Sequence, residues 1–160
     1  VPIPTEAELP PIPPYQLGQK LTFGSAGDAQ LYTTNGWQSP EESHRWTDGN
    51  TAEMRLPLAQ PIGDALLTVE VFPVTSGRTP AQTVHVFANG AEIGQWQVDR
   101  QSAQHLLVFA SHSHGRDSLE LRFELPDAFS PHSHGTSADN RILALAFQSL
   151  RLDPLNAPSV

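Results

Sequence analysis

The chain has no cysteine, a single methionine (Met54) and a single lysine (Lys20) among its 160 residues. Without cysteine there are no disulfides, no thiolate metal centres and no cysteine nucleophile. With 9 basic against 17 acidic residues the formal charge is −8. Phosphate backbones and anionic membrane surfaces both require clustered cations, so nucleic acid and direct membrane attachment are poor expectations. No stretch approaches the ~18–20 consecutive apolar residues of a spanning helix, and there is no signal peptide. The chain opens at Val1 without an initiator methionine. The expectation is a piece of a larger protein whose targeting or membrane segment lies outside it. A sustained helical period is also missing. The length nevertheless suits one domain, and a domain of ~150 residues buries roughly 68–70% of its unfolded surface without needing a metal or disulfide.

What is present is proline, then alternation. Residues 1–14 read V-P-I-P-T-E-A-E-L-P-P-I-P-P, an extended linker because proline fixes φ and donates no hydrogen bond. The predicted folded part is 15–154, with a tail at 155–160. Within it, short alternating runs are separated by turn residues. Leu21 and Phe23 open, and Leu31 and Tyr32 suggest a short strand. Ala52, Met54, Leu56 and Leu58 alternate cleanly. Leu67, Val69 and Val71 share one face of the next run, with Leu66, Thr68, Glu70 and Phe72 on the other. Val84, Val86 and Ala88 lead into Asn89-Gly90, a dipeptide tolerant of positive φ and the strongest hairpin signal in the chain. The return strand covers 92–98. Runs at 106–109, 119–125 and 142–152 bring the total to about nine strands, the count and spacing of a sandwich. The predicted class is all-β, a jelly-roll-like antiparallel β-sandwich with little or no helix. Two long irregular stretches, 33–50 and 126–141, interrupt the pattern, and long loops in a compact β-domain are functional or mobile.

Gly36-Trp37-Gln38-Ser39-Pro40-Glu41 followed by Arg45-Trp46-Thr47-Asp48-Gly49 resembles a bacterial domain type. So do the hairpin V-H-V-F-A-N-G-A-E-I-G-Q-W over 84–96, the run L-E-L-R-F-E-L-P-D-A-F-S over 119–130, and Asp139-Asn140-Arg141 before the last strand. Together they are similar to the β-sandwich accessory domain appended to membrane glycosyltransferases and phosphoglycerol-transferase-like proteins of cell-surface polysaccharide assembly. The resemblance covers nearly all of the chain after the linker. It implies a carbohydrate-module-like fold on the periplasmic or extracytoplasmic face of a membrane protein. Two histidine pairs in the late loops are not part of it.

Five groups of residues carry candidate chemistry. The first loop gathers Trp37, Glu41, Glu42, His44, Arg45, Trp46 and Asp48. An aromatic face stacks on the apolar face of a pyranose while carboxylates and arginine bind its hydroxyls. Alternatively the two tryptophans close the core, each burying ~150–250 Å² and contributing roughly 4–6 kcal/mol at ~25 cal/mol per Å², while Arg45 and Asp48 pair locally. The second loop offers Asp127, Ser130, Asp139, Asn140 and Arg141, either as a rim beside the first or as an oxygen-rich calcium site. The plainer expectation is that Asp127 and Asp139 cap turns. His112, His114, His132 and His134 form two His-x-His pairs, each presenting two imidazoles on one side of an extended segment. Two such pairs would make a four-ligand zinc, nickel or copper site, adventitious or otherwise; solvated loops are the alternative. Nucleophilic catalysis lacks a Gly-x-Ser-x-Gly elbow, and nothing pins one serine to a base and an acid; paired carboxylates for glycoside hydrolysis could be drawn from Glu41, Glu42, Asp48, Asp127 or Asp139. Trp96 falls in phase with Val98 and reads as core; exposed on a concave sheet it would instead be a sugar-stacking platform.

The reading is therefore a non-catalytic module with no obligatory cofactor that binds a glycan or docks against the rest of its parent protein. The site residues are Trp37, Glu41, His44, Arg45, Trp46, Asp48, Asp127, Asp139 and Arg141. The rivals are an interaction domain without sugar affinity and a small esterase or glycoside hydrolase.

Overall fold

The computed structural model describes residues 12–133, 135 and 138–155. The alternating runs form strands for the reason alternation implies: one face is apolar and needs a partner sheet. The nine strands among these residues are β1 (Leu21–Thr22), β2 (Arg45–Trp46), β3 (Thr51–Pro57), β4 (Ala65–Pro73), β5 (Gln82–Ala88), β6 (Ala91–Val98), β7 (Ser102–Val108), β8 (Ser118–Glu124) and β9 (Leu145–Pro154). Every pairing between them is antiparallel. One sheet runs β1-β9-β4-β7, with β2 also on the free edge of β9; the other runs β3-β8-β5-β6. All-β sandwich is the correct class. Leu31 and Tyr32 correct one element: they belong to a 3-10 turn at Ala29–Leu31 and its cap, not to a strand.

The core lies between the sheets. Leu67, Val69 and Val71 of β4 face Val84 and Val86 of β5 and Leu119, Leu121 and Phe123 of β8 across it, all fully or almost fully buried. An aromatic line runs through it from Trp37 to Trp96: Trp37 meets Phe147 edge-on at 4.9 Å, Phe147 meets Phe123 at 5.0 Å, and Trp96 stacks on Phe123 at 6.2 Å. Trp96 is 5% exposed and its indole N–H donates to the His105 carbonyl, bridging the two sheets at the β6–β7 side.

Two poles follow from the topology. At one, the Asn89-Gly90 turn joins β5 to β6 with both residues at positive φ, and the Asn89 side chain ties it to His112 and β8. The described chain ends gather there too, since Tyr15 bonds Pro57 and Gly18 bonds Leu152. At the other pole lie both long irregular loops.

One irregularity decides what that second pole presents. Between β4 and β9 the register shifts at Glu70/Val71, so that Ser149 pairs with Glu70 but Phe147 with Val71 and Ala146 with Phe72. Gln148 is the extra residue of a β-bulge. A one-residue slip exchanges the faces of every residue beyond it. The bulge thereby sends Phe147 into the core and turns Ala146 outward.

Candidate functional site

The first long loop is held tightly. Gly36 has φ +87°, and a Cβ there would collide with the Thr51 carbonyl, so only glycine lets the loop press against β3. From it, Trp37 bridges Thr47, Gln38 N–H donates to the Trp46 carbonyl, and Asp48 N–H donates to the Gly36 carbonyl. Thr47 is fully buried and exchanges bonds with Leu145. The segment 45–47 is thus an added edge to β9, and its side chains alternate. Arg45 turns inward and Trp46 outward.

That alternation splits the motif. Trp37 stacks on Phe23 at 5.4 Å and donates its indole N–H to the Glu53 carbonyl. It is a structural side chain packed on the core. Arg45 lies 5.9 Å above the Trp37 ring and donates to the Gln38 carbonyl and to Thr33 Oγ1. Burial pushes the guanidinium below its ordinary pKa. It does not pair with Asp48, which is exposed at the turn.

Trp46 goes the other way. It lies across from Ala146, which lies across from Phe72 of β4, three positions in line on the outer face of the sheet. Neighbouring strands are ~4.8 Å apart, so the two rings reach over the small Ala146 side chain and meet edge-to-face at 5.3 Å, burying it completely. His44 closes the corner, 4.8 Å from Phe72 and 6.0 Å from Trp46, both edge-on. Its ring is oriented by both nitrogens: Nδ1 meets Ser43 Oγ at 2.9 Å and Nε2 lies 3.4 Å from Glu41 Oε2. All three rings remain partly accessible.

The second long loop supplies the rim. Arg141 Nη1 lies 4.0 Å from Glu41, and Arg141 holds Asp139 through Nη2–Oδ2 at 2.7 Å and Nε–Oδ1 at 3.0 Å. The Arg141 side chain and backbone N–H hold the Asp139 carboxyl down at about 2. Asp139 holds the Arg141 guanidinium above its ordinary value. The structure therefore brings together Glu41, His44, Trp46, Asp139 and Arg141. It adds Phe72, which the motif did not include. The readable signal for Phe72 was an aromatic next to Glu70 and Thr68 on the outward face of β4.

Other expected residues do not join them. Asp127 Oδ2 accepts the Thr83 N–H, capping the start of β5. Beside it, Gln82 is fully buried; its amide donates to the Val74 and Asp127 carbonyls, clipping two loops together, while its Oε1 finds no partner among the described residues. The oxygen donors expected for calcium have protein partners: Asp127 serves Thr83, Ser130 Oγ donates to the Asp139 carbonyl, and Asp139 serves Arg141. The two His-x-His pairs do not come together among the described residues. His112 lies at the hairpin pole, where Asn89 bonds its carbonyl, whereas His132 N–H bonds Asp139 at the loop pole. Strand β5 separates them. His114 is exposed, and His134 lies outside the described residues. Among the described residues no three His, Cys, Asp or Glu side chains converge on a metal position.

No family model matches the chain, and no curated protein matches it. The fold is shared with part of a solved structure. Part of a family GH115 4-O-methyl-α-glucuronidase with specificity for decorated arabinogalactans superposes with a TM-score of 0.57 at 8% identity, over 92% of this chain and 19% of that one. The CBM36-1 domain of a multidomain xylanase from the hindgut metagenome of Trinervitermes trinervoides aligns at TM-score 0.47 and 12% identity, covering 87% of this chain and 98% of that one. A family 35 carbohydrate-binding module from Clostridium thermocellum aligns at 0.46 and 6%, covering 86% and 99%.

Proposed function

We propose that this domain is a non-catalytic carbohydrate-binding module, the accessory part of a bacterial cell-envelope polysaccharide-assembly protein, acting on the periplasmic or extracytoplasmic side. The observation that carries the binding function is the Trp46–Phe72–His44 corner. Aromatic side chains on a sheet's outer face normally seek cover; here three are built into one cluster, set on a purpose-made small residue and flanked by Glu41, Arg141 and Asp139. A pyranose offers complementary chemistry: an apolar C–H face for the rings and hydroxyls for a carboxylate and a guanidinium. The cell-envelope context rests on the sequence resemblance alone.

The test is affinity electrophoresis and titration calorimetry against bacterial polysaccharide fragments, xylan and arabinogalactan. Binding is expected in the wild-type domain, with Trp46→Ala weakening it. Covering ~60–80 Å² of indole at ~25 cal/mol per Å² contributes roughly 1.5–2 kcal/mol, or about a ten- to thirtyfold change in Kd. Absence of binding throughout the panel refutes the proposal.

One observation favours a second reading, a small esterase: His44 meets Ser43 Oγ at 2.9 Å through Nδ1 and faces Glu41 Oε2 at 3.4 Å, a charge contact, through Nε2. A Ser43-dependent turnover of p-nitrophenyl acetate by the wild-type domain, absent in Ser43→Ala, would establish it.

A further inference from the structure

The outer face that carries Trp46 and Phe72 does not end there. Along β4 the outward residues after Phe72 are Glu70, Thr68 and Leu66, and at ~3.4 Å per residue the strip from Phe72 to Leu66 is roughly 20 Å long. That length takes several pyranose rings end to end. Across β9, Ser149 stands beside Glu70 and Arg151 beside Thr68; across β7, Ala103 and His105 take the same two positions. Lys20 overhangs from the entry to β1. Lys20, Thr68, Glu70, Ser149 and Arg151 line a small hollow of about 50 Å³. The floor is low because Ala103, Ser149 and Thr68 are short, while the exposed side chains of Leu107 and Phe109 lie at the far end of the face.

The polar groups are arranged for hydroxyls. Glu70 Oε1 accepts from Ser149 Oγ at 2.9 Å and faces Lys20 Nζ at 3.4 Å. These contacts, the serine hydroxyl first, hold the carboxyl below the ordinary range, so it stays an ionised acceptor. Thr68 Oγ1 meets His105 Nδ1 at 3.0 Å. Each cation is matched: Lys20 by Glu70 and Arg151 by Asp153. A polyanion would find no net positive charge along the strip, whereas alternating donors and acceptors suit an uncharged polyol.

We propose that the outer face of the β1-β9-β4-β7 sheet is an extended binding row for an internal stretch of a linear, uncharged polysaccharide. One sugar lies on the Trp46–Phe72–His44 corner and the following ones lie along β4 over Glu70, Lys20, Thr68, His105 and Arg151. The inference rests on the glycan reading above and adds the class and pose of the ligand.

Titration calorimetry with neutral xylo- and arabinogalacto-oligosaccharides, from disaccharide to hexasaccharide, tests it. Affinity is expected to rise about tenfold or more with chain length and then level off, as each further hydrogen-bonded sugar adds its contribution. The charge-balanced variant Lys20→Met with Glu70→Gln should lose about fivefold or more for the longest probe and nothing for the disaccharide. Length-independent affinity that Trp46→Ala still abolishes overturns the row and leaves the glycan reading standing. Tighter binding of an oligoglucuronate than of its neutral counterpart overturns the uncharged class. No binding at any length overturns both.

Discussion

Ala146→Leu should damage this protein more than its outer-face position suggests. Most substitutions on an outer sheet face change stability by less than ~0.5 kcal/mol. Ala146, however, is fully buried beneath rings that meet 5.3 Å apart above it. Three added carbons have no free volume there, and overpacking of this kind typically costs about 1–3 kcal/mol. The Trp46–Phe72 edge-to-face pair, worth ~0.5–1.5 kcal/mol beyond its area, must also open. For a chain of this size 1 kcal/mol moves Tm by roughly 2–4 °C, so the midpoint should fall by about 2–12 °C. The assay is scanning calorimetry beside Ala103→Leu, the same exchange at an exposed position opposite Glu70 on the same face. Ala103→Leu should leave Tm close to wild type. Equal midpoints for the two variants would refute the packing argument, and with it the placement of both rings over Ala146.

Two further outcomes follow from the loops. The Asp139 carboxyl is held at about 2 by Arg141, against ~3.9 in an unfolded chain. The clamp's stabilising effect is therefore fully present above pH ~4 and lost as pH falls toward about 2; carboxyl NMR should show the depressed midpoint, and a midpoint near 4 would contradict the pairing. Gln82→Leu removes an unsatisfied oxygen but strands the Val74 and Asp127 carbonyls that its amide serves. The net should be about 1–3 kcal/mol of destabilisation in urea unfolding, and a more stable variant would show that the orphan oxygen dominates.

Much of the fold was legible because alternation is a direct consequence of a one-sided sheet. β3, β4, β5 and β8 follow their runs closely, and Asn89-Gly90 forms the expected turn at positive φ. β2 was not legible: two residues held by β9 have no period of their own. The site was half legible. Both loops do meet, through Glu41 and Arg141. Sequence proximity, however, grouped Arg45 with Trp46, and an extended backbone sends neighbours to opposite faces. The deciding feature is the bulge at Gln148. Its trace in the sequence is a broken alternation, with Leu145 and Phe147 in one phase and Leu150 and Leu152 in the other; only pairing with β4 reveals that the break turns Ala146 outward beneath two rings.

The proposed glycan-binding surface is the His44–Trp46–Phe72 corner, whereas Trp37 and Trp96 are structural. The three indole N–H resonances test it together. Trp37 donates to Glu53 and Trp96 to His105, while Trp46 finds no acceptor among the described residues. In a 15N-resolved titration with oligosaccharide, the Trp46 signal should shift progressively and saturate while those of Trp37 and Trp96 stay in place. A saturable shift confined to Trp37 or Trp96, or none at Trp46 while the sugar binds, would contradict the account.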